Sequence, residues 1–112
     1  MKYALLIYEK PGSFAELAEP ERESDMKEYG ALSADSRCVG GAQLQPIETA
    51  TTVRVPNGSA LMTDGPFAET KEVFGGFYLF DADSLDEALE LAGRIPAARH
   101  GGSVEVRPLV ER

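Results

Sequence analysis

A carboxylate at the head of a rigid turn is the first feature of this chain that could do chemistry. Asp64 opens Asp64-Gly65-Pro66-Phe67 within LMTDGPFAETKEVFGGFYLF, residues 61 to 80. Its side chain can hydrogen-bond the backbone ahead of it, Gly65 admits unusual φ, and Pro66 fixes the next residue. A turn role therefore accounts for these residue types unaided. Turn aspartates are common and catalytic ones rare, yet a carboxylate held by a rigid loop over a scaffold makes a sensible general base. Asp64 is the candidate for that role. Phe67 is expected to plug the space beneath the loop, by core packing sooner than by stacking on a substrate. Glu69, Lys71 and Glu72 read as a solvated charged rim.

The sole histidine, His100, carries the side chain best suited to proton transfer near neutral pH. It lies in Ala98-Arg99-His100-Gly101-Gly102, a glycine-rich turn in which a histidine is expected to be solvated. Tyr29 and Tyr78, each apolar with a polar tip, are better placed to line a pocket. Arg107 stands beside Glu105 on the last strand. It reads as half of a cross-strand ion pair or, second, as an anchor for an anionic ligand. Arg37 would complement a helix dipole. The single cysteine, Cys38, cannot form an internal disulfide and is expected to be a small buried hydrophobe. One Cys and one His leave no set with metal-ligand spacing. Gly40-Gly41 and Gly75-Gly76 lack the spacing of phosphate or dinucleotide loops, so no metal and no cofactor are expected.

Composition narrows the function classes. Nineteen acidic against eleven basic residues give a net charge of −8 with no Lys/Arg cluster, which argues against nucleic acid and against an acidic membrane surface. No run approaches the ~20 apolar residues of a membrane span. MKYALLIYEKPG has the lysine and apolar run of a signal-peptide start, but Glu9 and Lys10 stand where a cleavage site would be. A cytoplasmic protein is the expectation. The 112 residues fit one domain, 1–112, with no repeat, linker or low-complexity segment.

The elements that must position these residues follow from pattern. Residues 2 to 9 read as a strand with Tyr3, Leu5 and Ile7 on one face and Ala4, Leu6 and Tyr8 on the other. Both rows are apolar, so both faces should be covered, one by helices and the other by a second subunit. Residues 13 to 18 suggest a helical turn capped by Ser13. Pro20 opens a helix running to about Ser36, with a thin stripe of Met26, Tyr29 and Leu32-Ser33 that leaves room for a pocket beneath it. Val39 to Gln45 and Thr51 to Val55 look extended, and Pro56-Asn57-Gly58 turns the chain into Ala60 to Thr63. Val73 to Phe80 is a further strand, with Gly75-Gly76 marking a bulge or a close backbone approach. Ser84 and Glu87 match a reciprocal capping box ahead of a helix with Leu85, Ala88, Leu89, Ala92 and Ile95 on its apolar face. Val104, Val106 and Pro108 alternate with Glu105, Arg107 and Leu109 along a last strand. This order predicts an α+β fold of the ferredoxin-like, split βαβ kind: an antiparallel sheet with two helices on one face.

The segments MKYALLIYE, TATTVRV, TDGPFAETKE, GGFYLFDADSLDEALELA and PAARHGGSVEVRP, in this order along almost the whole chain, resemble the DGPF-domain branch of the YCII-related proteins. The resemblance implies a ferredoxin-like subunit that pairs sheet to sheet with a second copy, forming a dimeric α+β barrel. For the wider group it implies small enzymes with a pocket between helices and sheet and a His–Asp acid/base pair. The histidine is expected on the first helix and the aspartate near the end of the second. This chain offers Tyr29 at the first place, with no His on that helix, and ends the second helix Gly93-Arg94-Ile95-Pro96 without an Asp. Some DGPF-type domains also resemble companions of sigma-type transcription factors, which implies an interaction or regulatory module as the alternative. The leading expectation is a homodimeric binder of a small organic molecule, or a cofactor-free enzyme acting on one. In it Asp64 is the base, and Tyr29, Tyr78, Arg107 and Phe67 hold the substrate.

Overall fold

The computed structural model describes residues 1–64 and 71–112, and of residues 63 and 64 the backbone alone. Phe67 therefore lies outside the described residues, as does the side chain of Asp64. In chain order the elements are β1 (Lys2–Glu9), α1 (Ser13–Glu16), α2 (Glu19–Ala34), β2 (Cys38–Gln43), β3 (Thr51–Arg54), β4 (Leu61–Asp64), β5 (Val73–Asp81), α3 (Leu85–Gly93) and β6 (Ser103–Pro108). Short 3-10 turns occupy Ile47–Thr49, Pro56–Gly58 and Pro96–Arg99. Four strands form an antiparallel sheet in the order β2-β5-β1-β6, while β3 and β4 pair as a separate hairpin. With the four sheet strands counted in chain order, this is the ferredoxin-like arrangement that the pattern predicts.

Alternation along β1 and β5 sorts their side chains onto two faces. Tyr3, Leu5 and Ile7 are buried with Phe80, against Leu32 of α2 and Ala88, Leu91 and Ala92 of α3. Leu5, Leu32, Phe80 and Ile95 are fully buried. These residues form the core, and both long helices lie over this face of the sheet. The other face carries Ala4, Leu6 and Tyr8, with Leu79 opposite Ala4 and Phe77 opposite Leu6. There the rings of Tyr8 and Phe74 pack at a tilt of 52° with centroids 5.6 Å apart.

Gly75 and Gly76 fulfil both expectations placed on them. Ile7 pairs with Gly76 but Tyr8 with Phe74, so Gly75 is the extra residue of a β-bulge. A Cβ on Gly76 would stand 2.7 Å from the Ala42 carbonyl oxygen, so β2 crosses too close for any side chain.

Several local readings need correction. Ser13 is the first residue of α1; Gly12, in the left-handed region, holds the cap position and no side chain caps it. The capping box is half made: Ser84 accepts from the Glu87 N–H at 3.2 Å, but the Glu87 carboxylate turns away to Arg37 Nη1 at 2.8 Å. Arg37 also grips Asp35 through two bonds of 2.9 and 2.8 Å, so it joins the end of α2 to α3 rather than complementing a dipole. That grip holds the Asp35 carboxyl well below the usual carboxylate range, the side-chain bond contributing most. On α3, Leu85 and Leu89 are about half exposed, and Leu91 joins Ala88 and Ala92 in the core. The buried stripe is thus rotated from the expected one.

Candidate active site

The thin stripe of α2 has a structural consequence. Its buried residues are Asp25 and Leu32, and the space that larger side chains would fill is a cavity of about 730 Å³. The cavity lies between α2, the β2–β5 side of the sheet and the turn after α3. Phe14, Leu17 and Met26 supply an apolar wall. Arg22 fixes the chain near Phe14 by donating to the Leu17 carbonyl at 2.6 Å and the Ala15 carbonyl at 3.2 Å.

At one side of this cavity two titratable groups meet. Asp25 stands four residues before Tyr29 and seven before Leu32, so it shares their inward stripe. His100 follows the turn Pro96–Arg99, whose Pro96 and Ala97 are buried. The Ala97 carbonyl accepts from the N–H groups of both His100 and Gly102, at 3.2 and 3.0 Å, which fixes the loop. His100 Nε2 lies 2.9 Å from Asp25 Oδ2, and Arg99 Nη2 lies 3.6 Å from Oδ1. With 5% of its surface exposed, Asp25 is the buried charged residue among those described. A carboxylate so placed needs such partners. The expectation of a solvated His100 is thus corrected: its side chain is 23% exposed and bonded to a buried acid. The bond occupies Nε2 and leaves Nδ1 as the ring nitrogen without a partner in the pair.

Tyr29 and Tyr78 both line the same cavity. Burial foremost, and then the nearby Glu9 charge, push the Tyr29 hydroxyl up to about 12, against a backbone hydrogen bond from Ala97 that lowers it. It is therefore a protonated donor throughout the neutral range. Tyr78 donates to the Tyr29 carbonyl at 2.9 Å, and Ser33 approaches its oxygen at 3.4 Å. Its hydroxyl is committed to α2, and burial raises it as well. Cys38 lines the cavity half-buried instead of disappearing into the core.

Glu9 extends the inward row Tyr3, Leu5, Ile7 by one more position, past the end of the core and into the cavity. Its carboxyl lies over the Gly75 bulge, where a Cβ would come within 2.6 Å of it. Burial raises it above the ordinary carboxylate value.

The remaining sequence candidates stand elsewhere. Arg107 lies opposite Ala4 on β6, exposed on the outer face of the sheet and away from the cavity lining. It makes no ion pair with the described residues, Glu105 included. Asp64 ends β4 opposite Thr51 in the separate hairpin. Asp25 and Glu9 were missed, although each is a charged residue at an inward position of its own element's periodicity.

The fold is thus an antiparallel α+β sheet with an acid–imidazole pair beside a mostly apolar cavity. The chain belongs to the YCII-related domain family, whose pattern it matches over residues 1–112. It is 40% identical over 114 residues to the uncharacterized protein R00369 of Rhizobium meliloti (strain 1021), covering 97% of this chain and 92% of that one. Among solved structures it resembles 5-chloro-2-hydroxyhydroquinone dehydrochlorinase from Burkholderia phenoliruptrix AC1100, in complex with 2,5-dihydroxybenzoquinone. That likeness has a TM-score of 0.55 at 17% identity, over 100% of this chain and 96% of the other. It shows a shared fold.

Proposed function

We propose that this protein binds a small hydroxylated ring in the cavity under α2 and moves protons on it without a cofactor. The observation that carries this reading is the 2.9 Å contact between His100 and the buried Asp25 on the cavity wall. Asp25 accepts from Nε2–H, which fixes the imidazole tautomer and leaves the Nδ1 lone pair as the base. Tyr29, a protonated hydroxyl in the same cavity, is the donor to a substrate oxygen. For the wider group the resemblance implies a histidine on the first helix and an aspartate near the end of the second. Here the acid is on α2 and the histidine follows α3, the same two chemistries from exchanged elements. Asp64 is kept as a second candidate base, Phe67 as a residue closing the site and Arg107 as an anchor for an anion. The active form is a homodimer joined through the outer sheet faces, where Leu6, Tyr8, Phe77 and Leu79 remain half-buried.

The test uses rings like that of the structural neighbour's ligand, incubated in deuterated buffer and followed by NMR. The protein is expected to accelerate exchange at a ring C–H, and His100→Gln to lose about a hundredfold or more of that rate. An Asp64→Asn variant that loses the rate while keeping its melting temperature would move the base to Asp64. No acceleration with any ring contradicts the enzyme reading.

A further inference from the structure

Resting on the reading of the cavity as a ligand site, we infer that Glu9 makes it select for ligands carrying an ammonium or other strong hydrogen-bond donor and reject carboxylates. Three observations combine. First, Glu9 is placed at the cavity by the period of β1, and Gly75 clears the space its carboxyl occupies. Second, the carboxyl has no hydrogen bond or ion pair with the described residues, whereas Asp25 has both His100 and Arg99. Third, no Lys or Arg lines the cavity among the described residues, and residues 65–70 contain none. Lys10, its neighbour in sequence, lays its stem towards Gly101.

A half-buried carboxylate with no donor among the described residues is an available acceptor in a mostly apolar space. A ligand ammonium or hydroxyl satisfies it. A ligand carboxylate meets Glu9 and Asp25 with nothing cationic beyond His100 and Arg99, both already engaged with Asp25. Glu9 would thus set the charge of what enters, separately from the pair that moves protons.

Three probes sharing a phenol ring test this at about pH 8 by calorimetric titration: tyramine, 4-ethylphenol and 3-(4-hydroxyphenyl)propionate. Tyramine is expected to bind about tenfold or more tighter than the propionate, with 4-ethylphenol between them. The overall charge of −8 attracts cations everywhere, so Glu9→Gln isolates the local effect. In that variant the ratio should fall to within about threefold while 4-ethylphenol is unchanged. Equal or tighter binding of the propionate, a ratio untouched by Glu9→Gln, or no binding of any probe at millimolar concentration each overturns the inference. Because the readout is binding, it is independent of proton exchange: His100→Gln is expected to abolish exchange and leave the ratio intact.

Discussion

His100 and Asp25, 75 residues apart in sequence, are joined by a 2.9 Å contact between Nε2 and Oδ2 at the wall of the cavity. That contact ties α2 to the turn after α3, so it has a structural as well as a chemical consequence. Replacing His100 by leucine leaves a buried carboxylate with Arg99 alone. The expected cost is about 1–3 kcal/mol by denaturant unfolding, and an unchanged midpoint would show that the pair does not form.

Glu9 responds to pH in the opposite sense from a paired acid. Its carboxyl is raised in the folded protein by burial, so the protonated form is the one that folding favours. The contribution is full below the unfolded value of 4.5 and is lost as pH rises through the higher folded value. Glu9→Gln is therefore expected to raise the melting temperature by a few degrees near neutral pH, and the gain should vanish below the unfolded value. A gain that persists in acid would mean that charge burial is not its source.

Two glycines should behave with opposite signs. Gly30 sits in α2 with nothing within 4 Å of where a Cβ would be, so Gly30→Ala should stabilise by up to about 1 kcal/mol. At Gly76 the same substitution drives a methyl into the Ala42 carbonyl and should destabilise by about 1–3 kcal/mol through strand displacement. Thermal melts of the two variants check both signs together.

Tyr78→Phe removes the hydroxyl that donates to the Tyr29 carbonyl. Ser33 also donates to that carbonyl, at 3.1 Å, so the backbone oxygen keeps one partner. A loss of about 1 kcal/mol in unfolding free energy is expected, with ring binding largely retained. A large loss of binding would give the hydroxyl a direct role at the ligand.

The sheet frame was legible in the sequence because β1 and β5 are runs with clear period, and the separate β3–β4 hairpin because its Pro56-Asn57-Gly58 turn is local. Gly75-Gly76 was legible for the same reason. The acid–imidazole pair was not, since local rules for a glycine-rich turn say nothing of a partner on another helix. Asp25 shows the difficulty best: on a stripe as sparse as that of α2, a carboxylate reads as surface until the fold buries it. Leu91 stands in the core where Leu89 was expected, because positions 88, 91, 92 and 95 fit the helical three-to-four spacing as well as a stripe through Leu85 and Leu89 does.

Light scattering at micromolar concentration is expected to report about twice the 12.1 kDa chain mass. A stable monomer would remove the sheet-to-sheet pairing.

The proposed ligand site is the cavity whose polar wall is Asp25, His100 and Tyr29. It is tested most directly by titrating isotope-labelled protein with 4-ethylphenol and mapping the shifted resonances. Saturable shifts concentrated at Asp25, Tyr29, His100 and the Gly75 bulge are expected. Shifts confined to the outer sheet face or the β3–β4 hairpin, or none at millimolar ligand, would contradict it.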